Sequence, residues 1–396
     1  MSTRDDVIAL LSELVVCPSV NPSDRKDLQP PYGEGPLAEL LAVRLRAWGA
    51  EVTLREVVPG RPNVIARFEG ADPSRSLMLE AHSDTVQGSD MTIPPFEPAV
   101  RAGRLYGRGS CDTKGPMAAM LLGIRRVLDE DGRMPVTVYF VSTCDEEQGA
   151  RGARALISKD FRPDLAVVGE PTDLAICHAH KGTLRWSIRT HGVAVHSSAP
   201  QRGVNAIYHM ARVIELIERE VAPGLRGKRH PLLGEATISV GVIRGGTQSN
   251  VVPAECTIEI DRRMLPGESR EEVTEAMRVR LEALKASIPI FSYDIEALQY
   301  YEPMEVSTDS IPCRLMAEAC TRVLGAAQFV TAPWSANAGV FAALGVPCVL
   351  FGPGSIKQAH TKDEFIELGE VEKAVDVYAE LIRQCGVARE WPAPIT

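Results

Sequence analysis

The chain has 396 residues, of which 45% are hydrophobic and 24% are charged, and its formal net charge is −9. This length exceeds what one hydrophobic core usually organises, so we predict two domains of ordinary globular composition. Because the chain has neither a dense block of Lys and Arg nor a stretch of 18 apolar residues, we expect no nucleic-acid partner and no membrane span.

The first residues predict a capped amphipathic helix. Asp5 and Asp6 precede the apolar run 7–11, without the long apolar core and the small-residue cleavage site of a secretory signal. The nine cysteines are odd in number and widely spaced, and none forms a Cys-x-x-Cys pair. We therefore expect reduced thiols in a cytoplasmic protein.

Strands and helices alternate in the first part of the chain. We predict helices at 36–48, 115–128 and 150–158, and strands at 63–68, 77–81, 136–141 and 165–168. This alternation predicts an α/β fold with a mixed, largely parallel sheet that is flanked by helices. In such sheets, ligands bind beyond the carboxyl ends of the strands.

The pattern changes over residues 178–298. There we predict strands at 184–189, 237–243, 255–260 and 291–297, and helices at 204–219 and 270–286. Their order predicts an inserted α+β domain of the ferredoxin-like type. Later residues return to the first pattern, with helices near 309–324 and 340–344 and a strand at 348–351. We predict that residues 1–177 and 299–396 form one discontinuous domain.

Two acidic motifs near the first strands are candidate metal ligands. His82 and Asp84 follow the strand at 77–81, and a metal-bound imidazole needs a hydrogen bond at its second nitrogen, which a carboxylate often provides. An ordinary pairing within a loop explains the same motif. Asp112 precedes a predicted helix, and one carboxylate can bridge two metal ions about 3.5–4 Å apart. A helix N-cap is the alternative for Asp112.

Three further acids follow predicted strands. Glu146 and Glu147 are adjacent after the strand at 136–141, and Glu170 follows the strand at 165–168. Paired acids on a turn are often only solvated, and an acid before proline suits a turn. If metal ions are present, one acid of the pair can bind metal while the other accepts a proton from water.

His360 completes the candidate ligand shell. It follows the strand at 348–351 and the sequence Gly-Pro-Gly at 352–354. A shell of histidine and carboxylate ligands that needs no cysteine suits Zn²⁺, with Co²⁺ or Mn²⁺ as substitutes.

The order and spacing of these motifs resemble the M20 family of metallopeptidases and amidohydrolases over nearly the whole chain. The matching segments are HSDTV at 82–86, LYGRGSCDTKG at 105–115, DEE at 145–147, GEPT at 169–172 and GPGSIKQAH at 352–360. Each motif alone is common, but their combination in this order is specific.

The resemblance implies a site with two zinc ions per subunit. The implied ligands are His82, Asp112 and Glu170 for one ion, and Asp112, Glu147 and His360 for the other. The resemblance also implies that Asp84 orients His82. Glu146 would accept a proton from the attacking water and donate it to the leaving amine.

The inserted domain resembles the lid or dimerisation domain of the family, which implies a homodimer. His196 matches a histidine that reaches into the partner's site and donates to the developing oxyanion. Asn250 matches a second polar contact to the substrate. We predict that Arg262 or Arg263 pairs with a substrate carboxylate through its planar guanidinium, the alternative being a solvated strand end.

The sequence departs from the family pattern at three positions. Gln87 stands where a proline is common, Val195 replaces an alanine, and Asn337 replaces an aspartate. None of these changes removes a predicted ligand. Asn337 bears on substrate choice, since that segment borders the pocket in family members.

The implied function is hydrolysis of the amide bond of an N-acyl amino acid. The segment 352–360 looks most like that of enzymes acting on N-acetylornithine. A desuccinylase acting on succinyl-diaminopimelate, and a carboxypeptidase or dipeptidase, are alternatives because the shared motifs do not separate them. A non-catalytic binding protein would lack a ligand or the base, and the sequence retains all of them.

Overall fold

The computed structural model describes residues 4–23, 25 and 29–392. Contacts divide the chain into two compact units. Unit 1 comprises Met1–Ala179, Glu305–Thr331 and Ala336–Thr396, within which residues 1–3, 24, 26–28 and 393–396 lie outside the described part. Unit 2 comprises His180–Met304 and Ala332–Ser335.

The regular elements are numbered along the chain. The helices are α1 (Arg4–Val16), α2 (Gly35–Ala47), α3 (Lys114–Asp131), α4 (Arg151–Leu156), α5 (Ala206–Leu216), α6 (Ala222–Leu225), α7 (Arg270–Ser287), α8 (Ile311–Leu324), α9 (Asn337–Ala343) and α10 (Leu368–Val387). The strands are β1 (Glu51–Val58), β2 (Arg61–Phe68), β3 (Gly70–His82), β4 (Ala99–Arg101), β5 (Arg104–Tyr106), β6 (Met134–Thr143), β7 (Leu165–Val168), β8 (Ile176–His180), β9 (Gly182–His191), β10 (Arg229–His230), β11 (Gly234–Glu235), β12 (Thr237–Gly245), β13 (Glu255–Met264), β14 (Ser292–Tyr301), β15 (Met304–Glu305), β16 (Phe329–Ala332), β17 (Cys348–Leu350) and β18 (Phe365–Glu367).

A large mixed sheet organises unit 1. Its strand order is β1-β2-β6-β3-β7-β17-β8-β15, and β16 pairs with β8. The four central strands β6, β3, β7 and β17 are parallel, whereas β1, β2 and β8 are antiparallel to their neighbours. β6, β7, β17 and the second half of β3 are almost entirely buried, as expected for parallel strands covered on both faces. The predicted fold class, a mixed and largely parallel sheet with flanking helices, is confirmed.

Helices cover this sheet. Apolar side chains of α1, α2, α3, α8 and α10 form one core with the strands, and α4 contacts α9. A small sheet has the strand order β18-β5-β4. The loop after β5 leads to Asp112, and the segment before β18 contains His360. Hydrogen bonds from Arg108 and Asp112 to Glu364 hold these two segments together, although they are about 250 residues apart in sequence.

The main elements of unit 2 follow one another in the order β9-α5-β12-β13-α7-β14, with the short elements α6, β10 and β11 between α5 and β12. The antiparallel sheet of this unit has the order β12-β13-β9-β14, which is the ferredoxin-like arrangement. Burial alternates strictly along β13, because one face of the strand packs against helices. Buried side chains of α5, α7 and the strands, including Met210, Leu281 and Trp186, form a separate core.

The cysteines and the helices add two observations. All nine cysteines are free, and every one except Cys17 is buried. Among the described residues, we find no helix that is both long enough and apolar enough to cross a membrane.

Candidate metal centre

Three neighbouring parallel strands end at the same place. His82 is the last residue of β3 and pairs in register with Thr143, the last residue of β6. Glu146 and Glu147 follow β6, and Glu170 follows β7. Because the carboxyl ends of parallel strands share one edge of a sheet, the sequence positions of these side chains bring them together.

All five predicted metal ligands belong to two groups that share Asp112. His82, Asp112 and Glu170 form one group, and Asp112, Glu147 and His360 form the other. Within each group, the potential ligand atoms lie within 4.8 Å of one another. The five residues come from five separate segments of the chain, and the fold brings them together at one edge of the large sheet.

The carboxylate of Asp112 faces both imidazoles. Its Oδ1 lies 3.0 Å from Nε2 of His82, and its Oδ2 lies 3.4 Å from Nε2 of His360. The same His360 nitrogen lies 3.1 Å from Oε1 of Glu147. Each oxygen of Asp112 therefore belongs to a different group, which is the arrangement that a bridging carboxylate requires.

The electrostatics of the cluster favour a bound cation. Burial raises the pKa of Glu146 and of Glu170 well above the usual range, and the nearby acids Glu147 and Asp112, respectively, raise it further. Hydrogen bonds to Asp112 and Glu147 raise the pKa of His360 to about 11. Burial is the main cause of the shifts of both acids, and repulsion among the neighbouring carboxylates adds to it. Divalent cations would offset this excess of negative charge.

The donor atoms fit zinc. The two groups offer imidazole nitrogens and carboxylate oxygens, the donors typical of a catalytic zinc site, and cobalt or manganese would accept them too. No thiolate is required. Cys111 and Cys144 lie beside the site in sequence, and burial raises the pKa of both thiols, which makes them poor ligands and poor nucleophiles.

The orientation of His82 differs in detail from the prediction. Nδ1 of His82 donates to the backbone carbonyl of Asp84 over 2.9 Å, whereas the carboxylate Oδ1 of Asp84 lies 3.6 Å away. The residue predicted to orient His82 thus provides its main contact through the backbone. This hydrogen bond leaves Nε2 directed at Asp112, as a metal ligand requires.

The carboxylate of Asp84 instead anchors the turn that carries the paired acids. It accepts the backbone N–H of Glu146 over 2.9 Å and that of Glu147 over 3.0 Å. It also accepts the side-chain amide of Asn21 over 2.7 Å. Asp84 is fully buried, so these charge-assisted bonds fix the backbone from which both acids project.

A buried ion network continues behind this turn. Asp145, with φ of +67°, accepts hydrogen bonds from Arg151 and Asn21 and pairs with Arg61 over 3.0 Å. Arg61 forms a bidentate pair with Glu34, both distances being 2.6 Å. Glu34 also accepts the backbone N–H of Asp145 over 3.1 Å.

Sequence reasoning did not identify Asn21, Glu34 or Arg61 as site residues. They lie far along the chain from the acids that they support, and a single sequence gives no signal of that proximity. The fourth missed residue is Glu364, which accepts the backbone N–H of Asp112 over 3.0 Å. Its position four residues after His360 is the only signal that the sequence offers.

The other predicted site residues belong to unit 2. His196 is exposed, and its Nδ1 lies 2.8 Å from the hydroxyl of Ser198. Asn250 is also exposed and adjoins the same segment, since its carbonyl accepts the N–H of Ser197 over 2.9 Å. Within unit 2, therefore, the segments carrying these two residues are joined.

The two predicted arginines point to opposite faces of β13. Arg262 is buried on the helical face and donates to Glu268 over 2.7 Å. Arg263 is half-buried, with its guanidinium donating to Asp261 and, over 2.9 Å, to Thr183. Both arginines have partners within unit 2, but only Arg263 is partly exposed, so it is the more accessible of the two to a ligand.

The sequence matches the family model described as peptidase family M20/M25/M40 over residues 78–384. It is 31% identical over 393 residues to a protein named acetylornithine deacetylase from Proteus mirabilis (strain HI4320), covering 97% of each chain. It is 30% identical to the protein of the same name from Vibrio parahaemolyticus serotype O3:K6 (strain RIMD 2210633), covering 89% of this chain and 92% of the relative. The resemblance noted from the motifs is confirmed.

Solved structures share the fold. An M20 family metallo-carboxypeptidase, Sso-CP2 from Sulfolobus solfataricus, has a TM-score of 0.81 at 21% identity, covering 98% of this chain and 100% of that one. The YXEP protein of Bacillus subtilis, described as a dinuclear metal binding peptidase from the M20 family, has a TM-score of 0.66 at 20% identity, covering 96% and 97%.

Proposed function

Because this chain belongs to peptidase family M20/M25/M40 and is therefore a hydrolase, we propose that it cleaves the amide bond of an N-acyl amino acid with two divalent metal ions. The observation that carries the proposal is the pair of ligand groups that share Asp112, with Glu146 beside them. N-acetylornithine is the proposed substrate, since relatives that are 30% and 31% identical over most of the chain bear the name acetylornithine deacetylase.

The proposed metal ligands are those of the two groups. One ion would be held by His82, Asp112 and Glu170, and the second by Asp112, Glu147 and His360. Zn²⁺ is the ion that we propose, with Co²⁺ or Mn²⁺ able to replace it. When bound, such ions lower the pKa of water and polarise a carbonyl oxygen.

Glu146 is the proposed general base and acid. It accepts a proton from the attacking water and donates it to the amine as the amide C–N bond breaks, so that one water yields an acid and an amine. Burial raises its pKa above the usual range, the direction that helps a carboxylate to hold and release a proton. The carboxylate of Asp84 accepts the backbone N–H of Glu146 and so fixes the backbone from which the Glu146 side chain projects.

Residues of unit 2 are proposed to contact the substrate. His196 would donate to the developing oxyanion, and Asn250 would provide a second polar contact. Both side chains are exposed within their unit, so they are available to a ligand. Arg263 would pair with a substrate carboxylate. The active form is proposed to be a homodimer in the cytoplasm, in which His196 serves the site of the partner subunit.

The proposal is tested with a panel of N-acetyl, N-succinyl and dipeptide substrates, all presented to the protein reconstituted with Zn²⁺. We expect the highest kcat/KM for N-acetylornithine. A higher kcat/KM for the succinyl or dipeptide substrates would instead indicate a desuccinylase or a peptidase. If the protein hydrolyses none of the substrates, a non-catalytic binding protein would be favoured.

The base is tested with Glu146→Gln. The variant keeps the shape of the side chain but cannot accept a proton, so kcat should fall by a factor of about 10² to 10⁴ while both metal ions remain bound. Glu130→Gln, on an exposed part of α3, is the matched control and should retain wild-type kcat. Wild-type kcat in Glu146→Gln would refute the assignment of the base.

A further inference from the structure

The carboxylate of Glu364 receives four hydrogen bonds. Oε1 accepts the backbone N–H groups of Cys111 and Asp112 over 2.9 and 3.0 Å. Oε2 accepts the backbone N–H of Gly109 over 3.0 Å and Nη1 of Arg108 over 2.8 Å. A carboxylate has about four acceptor positions, so Glu364, which is 1% exposed, is saturated by this one loop.

The loop 108–112 is shaped to surround this carboxylate. Gly109 has a φ of +79°, and a Cβ built there would lie 2.7 Å from a methyl group of Thr85. Glycine adopts this positive φ without strain, which lets the N–H groups of Gly109, Cys111 and Asp112 converge on one point, as in an anion-binding nest. Here the anion is a side chain of the protein itself.

A second set of contacts joins the same two segments. The backbone N–H of Gly107 donates to the carbonyl of Glu364 over 3.0 Å, and Phe365 pairs with Tyr106 where β18 meets β5. These backbone bonds align the segments, and the carboxylate then locks the loop beyond them. Each of the two joined segments carries a predicted metal ligand. One segment carries Asp112, which both ligand groups share, and the other carries His360, four residues before Glu364.

We propose that Glu364 is a positioning residue that sets the placement of Asp112 relative to His360 and so couples the two metal-ligand groups. This inference rests on the metal centre of the proposed function. Glu364 itself is in neither ligand group, and it acts through the backbone of Asp112. Removal of its second anionic oxygen is expected to weaken metal binding without removing a ligand.

Glu364→Gln tests this inference. A glutamine has one acceptor oxygen, and its NH₂ group would face two of the donors that now bind the carboxylate. We expect Zn²⁺ to bind the weaker of the two sites about 10 to 100 times less tightly than in the wild type, as for other partners that orient metal ligands. Affinity is measured by titration against a chromophoric chelator, and the number of bound ions by mass spectrometry.

Glu268→Gln is the matched control. The carboxylate of Glu268 also accepts a hydrogen bond from an arginine, Arg262, over 2.7 Å and one from the backbone N–H of Leu265 over 2.9 Å. It belongs to unit 2, whereas both ligand groups belong to unit 1. The control should therefore lose a similar buried ion pair, with any accompanying loss of stability, yet bind two ions with wild-type affinity.

A second variant and a spectroscopic measurement distinguish an effect on the metal ligands from a folding defect. Glu364→Asp keeps the charge but shortens the side chain by one methylene, and we expect it to fold and still bind the second ion less tightly. In protein loaded with Co²⁺, the visible spectrum should change in both Glu364 variants and remain unchanged in Glu268→Gln.

Three outcomes would overturn the inference. Wild-type affinity for both ions in Glu364→Gln, or in Glu364→Asp if the glutamine variant does not fold, would show that Glu364 does not position the ligands. An equal loss in Glu268→Gln would assign the effect to general stability. Failure of the wild type to bind any ion would refute the metal centre itself, and the inference with it.

Discussion

Asp112 divides its two oxygens between two imidazoles, and that division organises the site. His82 and His360 both present Nε2 to Asp112, although they lie 278 positions apart in the sequence. The second nitrogen of His82 is held by a backbone carbonyl, which fixes the tautomer without a second carboxylate. The carboxylate of Asp84 is then available to hold the turn that carries Glu146 and Glu147.

This division of roles gives a prediction for Asp84→Asn. The backbone carbonyl that accepts Nδ1 of His82 remains, so the variant should still bind two metal ions. An amide would present N–H donors to the N–H groups of Glu146 or Glu147, so kcat should fall about 10- to 100-fold. Activity and metal content are measured together, with His82→Ala as the reference for loss of a ligand. If Asp84→Asn loses as much metal as His82→Ala, the side chain of Asp84, and not its backbone carbonyl, orients His82.

At the residue scale, sequence reasoning could identify the candidate ligands because each follows a predicted strand or precedes a predicted helix in a motif with a known chemistry. It could not tell which atom of Asp84 meets His82, because His-x-Asp spacing permits both the backbone and the side-chain contact. Nor could it find Glu34 and Arg61, whose roles arise only when distant segments meet.

At the scale of elements, the ends of β3, β6 and β7 determine where the site forms. The register pairs His82 with Thr143 and Glu80 with Val168, so the residues that follow these strands emerge side by side. Next to this edge, the side-chain amide of Asn337, at the start of α9, donates buried hydrogen bonds to the carboxylate of Glu80 and to the hydroxyl of Thr143. The amide that stands in place of the usual aspartate thus avoids a second buried carboxylate beside Glu80.

The ion network behind the turn gives a second prediction. Arg61→Met would leave Glu34 and Asp145 buried without this cation, so the free energy of unfolding should fall by about 3 to 5 kcal/mol. Arg67→Met on the same strand is the control. Its partner Glu69 is 63% exposed, so we expect a loss below about 1 kcal/mol. Urea denaturation measures both, and equal losses would contradict a special role for the buried network.

A histidine at the end of β8 gives a third prediction. Burial lowers the pKa of His180 to about 4, although Nδ1 donates to the carbonyl of Lys181. Between pH 6.5 and 4 the unfolded chain binds a proton that the folded chain does not, so stability falls as the pH falls through this range.

His180→Gln removes this proton-binding difference. The decrease in unfolding free energy between pH 7 and pH 5 should be about 2 kcal/mol smaller in the variant than in the wild type. Denaturant titrations at the two pH values provide the comparison. An identical pH dependence in both proteins would show that His180 does not remain neutral when buried.

The elements differ in how well sequence predicts them. The central strands and α3 are apolar and bounded by glycine or acidic turns, so their prediction needs only local pattern. The predicted strand at 77–81 is the buried end of β3, which begins at Gly70, because the exposed first part lacks a continuous apolar pattern. The strand β1 is half-exposed at the sheet edge, and its mixed polarity did not predict a strand.

At the scale of the whole molecule, the chain forms two units with separate cores. The ligands of both proposed metal ions come from unit 1, and the proposed substrate contacts His196, Asn250 and Arg263 come from unit 2. The change of pattern near residue 178 indicates this division in the sequence, because alternating half-buried strands replace apolar ones. Residues 332–335 also belong to unit 2, but no change of sequence pattern indicates this, because their assignment depends on tertiary contacts.

The proposed dimer gives a fourth prediction. If His196 serves the partner's site, Glu146→Ala and His196→Ala homodimers should each be nearly inactive. A 1:1 mixture that exchanges subunits should recover about a quarter of wild-type activity, because half of the dimers then contain one complete site. Two copies of Glu146→Ala mixed in the same way provide the control. No recovery despite proven subunit exchange would place His196 in the site of its own subunit or in none.

The most direct test of the central claim is the metal content of the wild type and of Asp112→Asn, measured by mass spectrometry after loading with Zn²⁺. An asparagine has only one acceptor oxygen, so it cannot serve both ligand groups. We predict two ions per wild-type chain and at most one in Asp112→Asn, with hydrolysis lost in the variant. Two ions retained in Asp112→Asn, or none in the wild type, would contradict a centre built on a shared carboxylate.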